Sequence, residues 1–151
     1  MSMGVIRTIS AIVLAFLLGP MTCSAQYQGD AASLSLVGNG TGLTQVNPAE
    51  LRSLFRGERS VWPTGRQVII VLPGSRVEWS ERFSLQVLGM SRQAMQRYWL
   101  GLVFQGRASA PVFVDSAAEV LSYVQEHPGA IGMVPMGSKG VPDAMLIKVV
   151  Q

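Results

Sequence analysis

The chain has 151 residues, 48% of them hydrophobic and 14% charged, with a net charge of +3, one cysteine and one histidine. A length of this order makes one domain that buries about two-thirds of the surface its unfolded form exposes, so it can fold without covalent staples. A single cysteine excludes an internal disulfide, a single histidine argues against a zinc site or a hydrolytic triad, and the scattered Lys and Arg form no basic stripe of the kind nucleic acid requires.

Met1 to Arg7 carries one positive charge and leads into the apolar run Ile9 to Leu18, broken only by Ser10. That run is short of the ~20 apolar residues a transmembrane helix needs. With Cys23-Ser24-Ala25 supplying small residues before a cut at Gln26, residues 1–25 read as a secretory signal peptide and give the chain a periplasmic address. An uncleaved anchor is the competing reading, disfavoured by the run length. A lipoprotein acylated at Cys23 is disfavoured by the lead-in Pro20-Met21-Thr22.

Residues 26–33 form a polar, flexible leader, and residues 34–151 the one domain. Leu34 to Val37 reads as a strand, followed by the glycine-rich turn Gly38 to Gly42. A loop of this kind can cradle an anion, which makes Asn39 and Thr41 candidate contacts. No helix follows at once, so the dinucleotide fingerprint fails, and a plain turn is the simpler reading. Asn47 caps the first helix, with Pro48 at its first position, Glu50 three residues after the cap, and Val46 placed to staple onto Leu51. Leu51, Leu54 and Phe55 give its apolar face, and Gly57 ends it.

Val61 to Gly65 is a turn holding Trp62, and it leads into the central strand Val68-Ile69-Ile70-Val71-Leu72. This run, bounded by Pro73 and Gly74, has the composition of a strand buried on both faces. Beyond it the spacing predicts a helix from near Ser80 to Gly89, and a longer one capped by Ser91 with Met90 and Met95 as a staple. Met95, Tyr98, Trp99, Leu102 and Val103 recur at helical spacing, which reads as core packing rather than a ligand-stacking face. Val112-Phe113-Val114 is a second buried strand. Asp115 or Ser116 caps a further helix whose inward side is Ala117, Val120, Leu121 and Val124, ending at His127-Pro128-Gly129. Ala130 to Pro135 and Met145 to Val150 are the last strands. The alternation implies an α/β domain with a mostly parallel sheet and one antiparallel strand, the final one being free to take that role.

The place to look for a site is the carboxyl end of the central strand, where open α/β sheets bind ligands. The turn there holds Gly74, Ser75 and Arg76, with Ser80 at the next helix start and Trp79 before it. Glu78 and Glu81 have no identifiable acid/base partner, and His127 reads as a helix-end residue, so no enzymatic role, cofactor or metal is expected.

Several motifs together resemble phosphate-type periplasmic solute-binding proteins of ABC transporters. In order they are Pro48 to Leu51 with Leu54-Phe55-Arg56-Gly57, Val61-Trp62-Pro63-Thr64-Gly65, Leu88-Gly89-Met90-Ser91, Tyr98-Trp99, Leu102 to Gly106, Val120-Leu121, and Pro128 to Pro135. The resemblance covers nearly all of Gln45 to Pro135. It implies a single three-layer lobe of the type II periplasmic-binding-protein-like fold, a non-enzymatic transport role, a small oxyanion such as phosphate as ligand, and an envelope transporter as partner. The family's anion-holding Ser-Gly-Thr-Arg falls here on Val77-Glu78-Trp79-Ser80, which keeps one hydroxyl and adds a carboxylate. Gly74-Ser75-Arg76 is the nearby substitute.

Two readings follow. The first is a one-lobed oxyanion binder using Gly74, Ser75, Arg76 and Ser80, with Asn39 and Thr41. The second is an envelope interaction or regulatory module that has lost anion binding and docks to a transporter or sensor protein, or pairs with a second copy, through Trp79.

Overall fold

The structure, a computed structural model, describes residues 33–151. The signal peptide read over residues 1–25 and the leader up to residue 32 lie outside the described residues. Six strands form one sheet in the order β2-β6-β1-β5-β3-β4. They are β1 (Leu34–Gly38), β2 (Gln45–Val46), β3 (Ile69–Pro73), β4 (Val112–Val114), β5 (Ala130–Pro135) and β6 (Leu146–Val149). The helices are α1 (Pro48–Phe55), α2 (Ser80–Phe83) continued by a π-helical turn over Ser84–Leu88, α3 (Arg92–Phe104) and α4 (Ala117–Glu126).

β3 lies parallel to β4 and β5, β2 parallel to β6, and β1 antiparallel to both β5 and β6. The sheet is therefore mostly parallel with one reversed strand, and that strand is the first rather than the last. β1 lies between β5 and β6 and pairs antiparallel with each, so β6 runs the same way as β5 and the reversed strand is β1.

Ile70, Val71 and Leu72 of β3, and Ala130 to Val134 of β5, are buried without a break. Successive side chains point to opposite faces, so both faces of the sheet are covered. α4 covers one face, where a Cβ on Gly132 would come within 2.7 Å of Val120. The other falls to α1, α2 and α3. There Phe55 and Phe83 meet edge to face, 5.2 Å between centroids, and join α1 to α2.

The helix starts follow their caps. Asn47 accepts from the Glu50 N–H at 2.9 Å, and Glu50 accepts from the Asn47 N–H at 3.0 Å. Ser91 and Ser116 cap α3 and α4 through the N–H groups of Ala94 and Glu119. The helix expected from Ser80 to Gly89 differs: only four residues are α-helical, and the rest is π-helical. Trp79 stands at its cap position and makes no side-chain cap bond, while the Ser84 hydroxyl donates to the Ser80 carbonyl at 2.9 Å.

The amino ends of β3 and β5 are tied at Gly129. Its carbonyl accepts from the Ile69 N–H at 3.0 Å and the Trp62 indole N–H at 2.8 Å, and its N–H donates to the Asn39 carbonyl at 2.7 Å. Gly129 has φ of +98°, and any Cβ there would collide with the Gln67 carbonyl. Gly129→Ala should therefore lose about 3 kcal/mol or more of stability. Trp62→Phe should lose about 1 kcal/mol, since Ile69 still satisfies the carbonyl. Urea unfolding midpoints of the two variants check both the size and the order.

Candidate functional site

The carboxyl end of β3 does open onto a groove. A cavity of about 910 Å³ runs between the turn Gly74-Ser75-Arg76, one face of α3, and the strand β4 at the edge of the sheet. Gly74 turns the corner close against β4 and Asp115. Its N–H donates to the Val114 carbonyl at 2.8 Å, and a Cβ would lie 2.6 Å from a carboxylate oxygen of Asp115. Ser75 and Arg76 are exposed, and the Ser75 carbonyl accepts from the Arg92 guanidinium at 2.8 Å.

α3 supplies the longest wall. Gln93, Gln96, Arg97, Leu100 and Val103 line the groove, a row at spacings of three and four residues on one side of the helix. Met95 and Trp99 turn inward and are buried. Tyr98 is half-buried and donates its hydroxyl to the Arg56 carbonyl at 2.9 Å. The stripe expected to be core throughout is thus core at Met95 and Trp99, while Val103 is 36% exposed at the groove. Trp99 lines both this groove and a second hollow of about 180 Å³. Its buried indole N–H has no acceptor among the described residues.

The six expected anion contacts do not come together. Asn39 and Thr41 follow β1 at the end of the sheet where Ile69 and Ala130 begin their strands, because β1 runs opposite to β5. Gly74 to Arg76 lie at the other end of β3, roughly 15 Å away for a five-residue strand. Asn39 spends its side-chain N–H groups on the carbonyls of Val124 and Gln125, both at 3.0 Å, which finishes α4. Thr41 is buried, its hydroxyl accepting from the Leu43 N–H at 3.2 Å. Ser80 is fully buried and donates to the Pro73 carbonyl at 3.3 Å. Trp79 is 8% exposed and belongs to the core, so the interface surface expected from it is not present.

Neither nearby helix start offers an anion hole. α2 is a single turn, and at α3 the Arg92 and Ala94 N–H groups are taken by Glu81 and Ser91. Of the expected contacts, Gly74, Ser75 and Arg76 reach the groove. Gln93, Gln96, Arg97 and Asp115 line it as well and were missed by sequence reasoning. The α3 row was the available signal: polar residues at 93, 96 and 97 share a face with Leu100. His127 stacks on Tyr123 at 3.9 Å and its Nδ1 lies 2.8 Å from the Tyr123 carbonyl, a helix-end role as expected. Among the described residues no three His, Cys, Asp or Glu side chains are grouped to hold a metal.

No protein-family model matches the chain, and no curated protein matches it by sequence. Among solved structures, the chain is similar to an ABC-type phosphate transport receptor from Vibrio cholerae, with a TM-score of 0.55 and 17% identity over 77% of this chain. It is also similar to PstS from Borrelia burgdorferi, with a TM-score of 0.59 and 12% identity over 78% of this chain. The chain spans 45% and 47% of those two proteins, under half of each. At such identities the likeness is one of fold: the α/β fold expected from the sequence is shared with these receptors.

The commitment of both Asn39 side-chain N–H groups to the end of α4 gives a clear expectation. Asn39→Ala should lower stability by about 1 to 2 kcal/mol through the two uncapped carbonyls of α4. It should leave the affinity for any groove ligand unchanged, as read by parallel urea unfolding and calorimetric titration.

Proposed function

We propose that this chain is a non-enzymatic, periplasmic solute-binding-like protein that holds an anionic solute in the groove beside β4. The observation that carries the reading is the convergence of Ser75, Arg76, Gln93, Gln96 and Arg97 on one cavity at the carboxyl end of the central strand. Two guanidinium groups supply fork-shaped donors suited to a carboxylate or phosphate, and the amides and hydroxyl complete the set. The fold shared with phosphate transport receptors supports a transport-linked role, with a small oxyanion as the simplest ligand and an envelope transporter as the partner. The periplasmic address rests on the N-terminal pattern. Material recovered from the periplasm should begin at Gln26 by N-terminal sequencing, and an unprocessed Met1 would overturn that part.

The test of the site is calorimetric titration with phosphate, sulfate and a carboxylate at low and moderate salt. At least one anion should bind, with affinity falling tenfold or more in Arg76→Ala. If no anion binds, or if Arg76→Ala changes nothing, the groove is not an anion site. A second reading, an envelope interaction module without a solute, is favoured by the exposed Leu100, Phe104 and Phe113 near the groove and at the edge strand. Its contact surface would be that apolar patch rather than Trp79.

A further inference from the structure

The groove has two chemically different ends. α3 runs along it with Gln93, Gln96 and Arg97 in its first half and Leu100 and Val103 in its second. The opposite wall changes in the same sense, from Ser75 and Arg76 at the β3 turn to Phe113, Pro111 and Ala110 towards the start of β4. The two walls run in register because the start of α3 is pinned to the β3 turn by the Arg92 bond to Ser75. From Gln93 to Val103 the helix rises roughly 15 Å, far longer than a phosphate ion. A volume of about 910 Å³ is that of an organic ligand site.

We infer that the ligand of this groove is an amphipathic organic anion: a singly charged head held by Arg76 and Arg97, with an aliphatic or aromatic body lying along Leu100, Val103 and Phe113. The inference rests on the anion-binding reading above and names its ligand class. Two points carry it beyond a bare oxyanion. First, the groove is open on one side, so hydrogen bonds made in it compete with water and add little net affinity. Burial of apolar surface does not suffer that competition, and Leu100 at 57% and Phe113 at 46% exposed have that surface to lose. Second, the Asp115 carboxylate stands over Gly74 at the charged end and opposes a compact dianion more than a single charge.

The experiment is calorimetric titration of the full chain with decanoate below its micellar concentration and with 4-phenylbutyrate. Acetate, inorganic phosphate and decanol serve as comparisons. At least one of the two amphipathic acids should bind ten times or more tightly than acetate, phosphate and decanol, and the better of them distinguishes an aliphatic from an aromatic body. Affinity should fall at least tenfold in both Arg97→Gln and Leu100→Ser. These residues are exposed, so unfolding midpoints should stay at the wild-type value and confirm that both variants fold. Phosphate or acetate binding as tightly as the amphipathic acids would overturn this inference and leave the anion reading standing. Decanol equalling decanoate, or insensitivity to Arg97→Gln, would overturn it as well by showing an apolar patch without a head-group site. Silence from every anion would overturn both readings.

Discussion

The two peptide groups that meet at Gly129 are the constraint on which the rest of the sheet depends. One carbonyl accepts from the backbone that starts β3 and from the indole of the preceding turn, and the adjoining N–H fixes the end of β1. Three chain segments far apart in sequence meet there, at a backbone conformation that only glycine adopts without strain. The registers of β3 on β5 and of β1 on β5 both begin at this point, and the next residue, Ala130, is already inside the sheet. Once those registers are set, the opposite ends of the strands are set too. The position of Gly74 and its turn at the far end of β3 is a consequence of the anchor at the near end.

The local part of this architecture was legible because it is written in short-range chemistry. Asn47 with Glu50, Ser91, and Ser116 with Glu119 each satisfy helix N–H groups within a few residues, and each appears in the structure as expected. The uninterrupted apolar run of β3 required cover on both faces, and the strand is buried as expected. What the sequence did not reveal is long-range. β2 is only two residues long, and its pairing with Lys148 and Val149 leaves no periodic trace in Gln45-Val46. The reversed direction of β1 depends on its place between β5 and β6, which no local pattern in Leu34–Gly38 records. The π-helical turn after Phe83 has no side-chain signature beyond the missing cap at Trp79.

The site was legible in part for the same reason. Gly74, Ser75 and Arg76 follow from a topological rule about strand ends, which needs only the identity of the central strand. Ser80, Thr41 and Trp79 were chosen for their chemistry, and burial withdrew them: a hydroxyl that bonds its own backbone in the core has no lone pair facing solvent. Asn39 failed on geometry, since the direction of β1 puts its end at the opposite end of the sheet from the groove. The α3 wall was hidden behind the stronger apolar signal of Met95 and Trp99 on the same helix.

That helix shows how packing and binding can be kept apart within thirteen residues. A helix of 3.6 residues per turn presents two rows that share almost no side chains. One row, Met95 and Trp99, is buried and holds α3 to the core, with Tyr98 reaching the end of α1 through the Arg56 carbonyl. The other row, from Gln93 to Val103, faces the groove and is free to vary in chemistry without disturbing the core. Trp99 is the one residue common to both, buried at 2% and yet part of the groove wall. Its indole N–H is already stripped of water and lacks an acceptor, a state that costs on the order of 1–3 kcal/mol.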